Sequence, residues 1–114
     1  MLSIKAGVRL EGLQPQMALA AIIANDVFRS LGFNCVITSG SDGQHKHNSL
    51  HYSGMALDLR TRHIQDDGQK RQVVAAVASA LGGDFDVVLE SDHAHLEYDP
   101  KRPQRQPAGL PLDT

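Results

Sequence analysis

Two short stretches gather the side chains that can do chemistry. In HNSLHYSGMALDL, residues 47–59, His51 precedes Asp58 by seven positions, and in SDHAHLEYD, residues 91–99, His93, His95 and Glu97 alternate with Ala94, Leu96 and Tyr98. Imidazoles and carboxylates bind metal ions and move protons. On a helix, His51 and Asp58 would stand almost two turns apart, about 10 Å along the axis, too far to share an ion whose ligand atoms each lie about 2 Å from it. On a straight strand they would point to opposite faces. The chain must therefore bend between them, and Tyr52-Ser53-Gly54 is where a bend costs least. His51 then ends a loop, and Asp58 lies on the strand that follows.

Strand alternation places His93, His95 and Glu97 on one face. Two such histidines lie about 7 Å apart at Cα, so one can bind a metal while the other reaches a bound water or substrate. Two histidines and one carboxylate leave a fourth position open on zinc, the arrangement of a catalytic rather than a structural site. Glu97 either orients a ligand histidine or takes an ordinary cross-strand or surface place. His45 and His47, in a polar loop, are expected to be solvated or adventitious binders. Tyr52 and Tyr98 either line the cleft or pack.

The elements that must position these residues are readable from periodicity. From Pro15 to Leu31, apolar residues recur at three- and four-residue steps, with Pro15 suited to a first turn and Gly32 to a stop, which predicts a helix. Residues 1–13 are expected to form an edge strand or an extended arm, and 34–38 a buried strand. SGSDGQHKHNS, 39–49, is a loop by composition. Met55 to Arg60 alternate as a strand, and Asp66 and Asp67 offer N-caps for a second helix over 68–81. Phe85 to Leu89 and His93 to Tyr98 are expected to pair as an antiparallel hairpin around Glu90-Ser91-Asp92.

The 114 residues suit one domain with a modest core. Residues 100–114 are rich in proline and aperiodic, and are expected to form a C-terminal tail beyond a domain spanning 1–99. A net charge of −2 and no basic face argue against a nucleic-acid partner. No apolar run is long enough for a membrane span, and the N-terminus lacks signal-peptide features, so synthesis and folding in the cytoplasm are expected. Cys35, the single cysteine, sits in an apolar run and reads as a buried thiol.

The frame Ser49-x-His51-x-x-Gly54-x-Ala56-x-Asp58-Leu59, followed by His93-x-His95, resembles that of the zinc D,D-peptidases, relatives of Hedgehog signalling domains and murein endopeptidases. The likeness spans residues 36–99 and is greatest to small phage and prophage members. It implies an α+β fold with a small antiparallel sheet, two helices packed on it, and a zinc site at one end of the sheet. It implies zinc held by His51, Asp58 and His95, with Ser49 near a peptidoglycan peptide substrate.

In such a site a zinc-bound water attacks a peptide carbonyl, and a neighbouring group carries the proton. Many members place a Glu three residues before the last zinc histidine, where this chain has Asp92. Hedgehog-like members place a Glu just upstream of the His-x-His, and Glu90 corresponds with a one-residue offset. Glu90 is thus the expected general base, Asp92 the second choice, and His93 a stabiliser of the transition state or an alternative base. Relatives that cut D-Ala-D-Ala often carry an arginine after the Ser-Gly of the preceding strand. Here the run is Thr38-Ser39-Gly40-Ser41-Asp42, and Arg60 and Arg62 are the candidate substitutes.

The resemblance implies a peptidase that reaches the wall through a phage-type pore, as phage lysins do. The alternative is a non-catalytic zinc-binding module of phage origin that recognises the wall or a partner protein.

Overall fold

The computed structural model describes residues 1–42, 51 and 53–100. Seven elements follow in chain order: β1 (Leu2–Ile4), α1 (Pro15–Ser30), β2 (Cys35–Ser39), β3 (Ala56–Arg60), α2 (Asp67–Leu81), β4 (Phe85–Leu89) and β5 (His93–Tyr98). Ser49, Tyr52, His45, His47 and residues 101–114 of the proline-rich tail lie outside the described residues.

Helix α1 starts where Pro15 needs no N–H partner and ends at Leu31, ahead of Gly32. Its buried stripe is Met17, Ala20, Ala21, Ala24 and Phe28. Helix α2 begins on Asp66, whose side chain accepts from the Gln69 N–H at 2.9 Å, a cap that contributes about 1 kcal/mol. Val73 and Val77 are its buried residues. Both helices pack on one face of the sheet, against Cys35, Ile37, Leu57, Leu59 and Leu96, with Ile64 completing the core.

The sheet has strand order β1-β2-β3-β5-β4. Four strands run antiparallel to their neighbours, as expected, and β4 and β5 form the expected hairpin. The purely antiparallel sheet needs one correction, because β1 pairs with β2 in parallel. A parallel partner requires a long crossover, and α1 with its preceding arm supplies it.

The two faces of β3 and β5 divide cleanly. Leu57 and Leu59 with Leu96 and Ala94 turn into the core, so period-two alternation turns Asp58, Arg60, His93, His95 and Glu97 to the face opposite the helices. The register sets Asp58 across from His95 and Arg60 across from His93. The expected site at one end of the sheet is therefore corrected to a site on its face, because the cross-strand pairs that build it sit within the strands.

Candidate metal centre

Asp58 and His95 are brought together by the β3–β5 register, and His51 is carried to them by a bend in the segment before β3. Gly54 closes that bend with φ +77°, a backbone conformation suited to glycine, and its N–H donates to the His51 carbonyl at 3.2 Å. A β-bulge in β2 between Ile37 and Ser39 shifts the pairing with β3 by one residue, and such bulges re-aim the strand end. Just beyond it, the Gly40 carbonyl accepts from His51 Nδ1 at 2.8 Å.

The arm before α1 braces both pieces. The Gln14 N–H donates to the Gly54 carbonyl at 3.0 Å and the Ser41 N–H to the Arg9 carbonyl at 2.8 Å. The Asp42 carboxylate accepts from the Arg9 N–H at 2.9 Å and the Gly40 N–H at 2.8 Å. A Cβ on Gly54 would collide with the Gly12 carbonyl, and one on Gly40 with the Arg9 carbonyl.

Three ligand atoms converge. His51 Nε2 lies 3.3 Å from Asp58 Oδ1 and 3.2 Å from His95 Nδ1, and His95 Nδ1 lies 3.2 Å from Asp58 Oδ1. Tetrahedral bonds of the length zinc makes to nitrogen and oxygen separate neighbouring ligand atoms by about 3.3 Å, so the triangle has the dimensions such an ion needs. Each histidine is also held from its far nitrogen. His51 Nδ1–H donates to the Gly40 carbonyl, and His95 Nε2–H donates to Glu97 Oε1 at 2.7 Å. These bonds fix the tautomers and aim the free nitrogens inward.

The electrostatics suit a cation. Burial alone would raise the Asp58 pKa, but hydrogen bonds from His51 and His95 and the nearby imidazoles outweigh it and hold the carboxyl well below its usual range. The Asp58 hydrogen bond raises His95 to about 9, against its burial, with Glu97 adding to the rise. A divalent ion would take the place of the proton that this carboxylate pair now attracts. The donor set of two imidazoles and a carboxylate fits zinc.

His93 stands beside the triangle. Its Nδ1–H donates to Asp92 Oδ1 at 2.8 Å, and its Nε2 lies 3.8 Å from Asp58 Oδ2. That His93 bond holds Asp92 below the usual carboxylate range, with Arg62 adding through space. A polar cleft of about 180 Å³ opens here, lined by Lys5, Thr38, Ser39, Asp58, Arg60, Arg62, Asp92 and His93. Glu90 stands at the hairpin corner with an exposed side chain, its N–H donating to the His93 carbonyl at 2.8 Å.

The face shared by His93, His95 and Glu97 was readable from alternation. The Gly40 carbonyl and Lys5 were not, since a backbone acceptor has no side-chain signature and Lys5 arrives only through the pairing of β1. Cys35 is buried, its thiol pushed up to about 12 by burial, and lies in the core.

With this geometry in hand, the comparison with known families is direct. The family of Hedgehog amino-terminal signalling domains matches residues 12–98, a span that contains His51, Asp58 and His95. The chain belongs to the Hedgehog amino-terminal signalling domain family, whose fold is related to that of zinc metallopeptidases. Among the described residues, no helix is long and apolar enough to cross a membrane.

Proposed function

We propose that this chain is a zinc-dependent peptidase acting on peptide bonds of bacterial cell-wall peptidoglycan, of the D,D-carboxypeptidase or endopeptidase type. The observation that carries the reading is a three-ligand triangle of His51, Asp58 and His95 with sides of 3.2–3.3 Å, beside a second imidazole that is itself held by a carboxylate. A structural zinc site would be closed by a fourth side chain and would usually include cysteine. When bound, zinc supplies Lewis acidity, which activates water near neutral pH and polarises a carbonyl.

The chain's own residues do the rest. Gly40 and Glu97 keep the two ligand histidines in the metal-binding tautomer. Asp92 holds His93 by Nδ1, which leaves Nε2 turned toward Asp58 and available to take a proton from the nucleophile and return it to the leaving amine. Glu90, exposed at the corner, ranks behind this pair as the proton carrier. The motif likeness to small phage and prophage peptidases supports wall peptides as substrate, and a phage setting in which the enzyme reaches them through a pore.

The test is to load the purified protein with zinc, measure its metal content, and follow new amino groups released from cell walls of several chemotypes. One zinc per chain with release of amino groups is expected. Full zinc occupancy with no cleavage of any wall would overturn the enzyme reading in favour of a zinc-binding module that recognises the wall or a partner.

A further inference from the structure

Three basic residues from separate parts of the chain meet in the cleft beside the triangle. Lys5 follows β1, and its N–H donates to the Ile37 carbonyl at 2.9 Å, which ties it to β2. Arg60 ends β3 across from His93. Arg62 follows in the next turn, which is pinned to the hairpin corner by the Thr61 N–H on the Asp92 carbonyl at 3.1 Å. Thr38 and Ser39 add hydroxyls to the same lining.

The two acids in this lining are engaged elsewhere. Asp58 faces His51 and His95, and Asp92 accepts from His93. None of the ion pairs among the described residues involves Lys5, Arg60 or Arg62. Arg60 Nε is moreover buried with no hydrogen-bond partner among the described residues, a state that costs free energy and needs an explanation. Three cations in a polar cleft of about 180 Å³ offer an incoming anion charge that no resident carboxylate has claimed. Guanidinium groups suit a planar carboxylate, which they can grip through two parallel hydrogen bonds.

We propose that Lys5, Arg60 and Arg62 form a carboxylate subsite that holds a free carboxylate of the substrate and so places the neighbouring amide against the His51–Asp58–His95 centre. The proposal rests on the peptidase reading and deepens it. The substrate class is a short peptide with an unblocked carboxylate one residue or less from the bond that is cut. A cleft of this volume accommodates one small residue and its carboxylate, which leaves the rest of the peptide on the far side of the metal centre.

The experiment is a binding titration on the zinc-loaded chain, followed by calorimetry or NMR, with probes that cannot be cut. N-acetyl-D-alanine carries the carboxylate, N-acetyl-D-alaninamide lacks it, and the α-amide of N-acetyl-D-glutamate carries it only on the side chain. The expected result is that a free acid binds about ten-fold or more tightly than the neutral amide. Whichever acid is preferred tells whether the carboxylate is terminal or on a side chain. Lys5→Gln and Arg62→Gln, both at exposed positions, are expected to remove most of that preference while leaving zinc content and amide binding unchanged.

Arg60→Lys keeps the charge at the one position whose side chain is partly built into the sheet. Equal binding of acid and amide, binding of neither, or an acid preference that survives in the Lys5→Gln, Arg62→Gln double variant would overturn the subsite. The last result would send the carboxylate to the metal instead. Selective acid binding without wall cleavage would leave the subsite standing and remove the peptidase reading.

Discussion

His95 and Glu97 lie two residues apart on one strand and are joined by a 2.7 Å hydrogen bond from His95 Nε2–H to Glu97 Oε1, which turns Nδ1 of the same ring toward Asp58. The carboxylate thereby decides which nitrogen faces the metal. Glu97→Gln keeps the shape and removes the charge, and its amide can present the wrong group to the imidazole. Zinc affinity is expected to fall by about 10–100-fold, read by competition with a chromophoric chelator. An unchanged affinity would show that Glu97 has no part in holding His95.

Acid and base act on the metal-free protein from opposite sides. His95 is raised from 6.5 to about 9, so its contribution to stability is complete below pH 6.5 and is lost as pH rises through about 9. Asp58 is lowered from 3.8, so its contribution is present above pH 3.8 and is lost as pH falls toward its depressed value. Urea midpoints of chelator-treated protein should therefore be highest between pH 3.8 and 6.5 as far as this pair is concerned. Zinc has to displace the His95 proton, so its apparent affinity should climb with pH and level off near 9. A zinc affinity that is flat over that range would contradict the ligand role of His95.

The bend at Gly54 can be tested against a glycine that is only conformationally special. Gly54 and Gly82 both have positive φ, but a Cβ on Gly82 would meet nothing within 4 Å, whereas one on Gly54 would strike the Gly12 carbonyl. Gly82→Ala should cost about 1 kcal/mol and leave zinc binding unchanged. Gly54→Ala should cost about 2 kcal/mol or more and weaken zinc binding, because His51 rides on the same turn. Thermal melts with and without zinc separate the two effects.

If His93 carries the proton, His93→Gln should keep one zinc per chain while turnover falls by about 10²–10⁴-fold. Asp92→Asn should lower turnover less and alter its pH profile, since it changes how His93 is held rather than removing it. Glu90→Gln should do little. A full loss in Glu90→Gln with normal turnover in His93→Gln would reverse the assignment.

Much of this was legible in the residues themselves. The steps from Met17 to Phe28, the Asp66 cap and the alternation through His93, His95 and Glu97 are local signals, and local signals translate directly into elements. The single step from Tyr52-Ser53-Gly54 to a bend was readable because only that tripeptide offered cheap turn chemistry. Leu2–Ile4 is too short for its period to tell direction of pairing, and the choice of a parallel partner is settled by where α1 leaves the chain. Nor could spacing place the site on the sheet face, since that follows from which strands become neighbours.

The arm that precedes α1 gives the centre an unusual kind of dependence. Residues 9–14 touch no ligand atom, yet they hold the Gly40 carbonyl on one side and the Gly54 carbonyl on the other, and His51 hangs between those two points. Whatever tightens that clasp must raise the affinity for the ion, and the ion must tighten the clasp by the same factor. Amide protons of Gln14 and Ser41 would then exchange with solvent more slowly in the zinc-loaded chain than in the stripped one. The first dozen residues act as a remote reporter of whether the centre is filled.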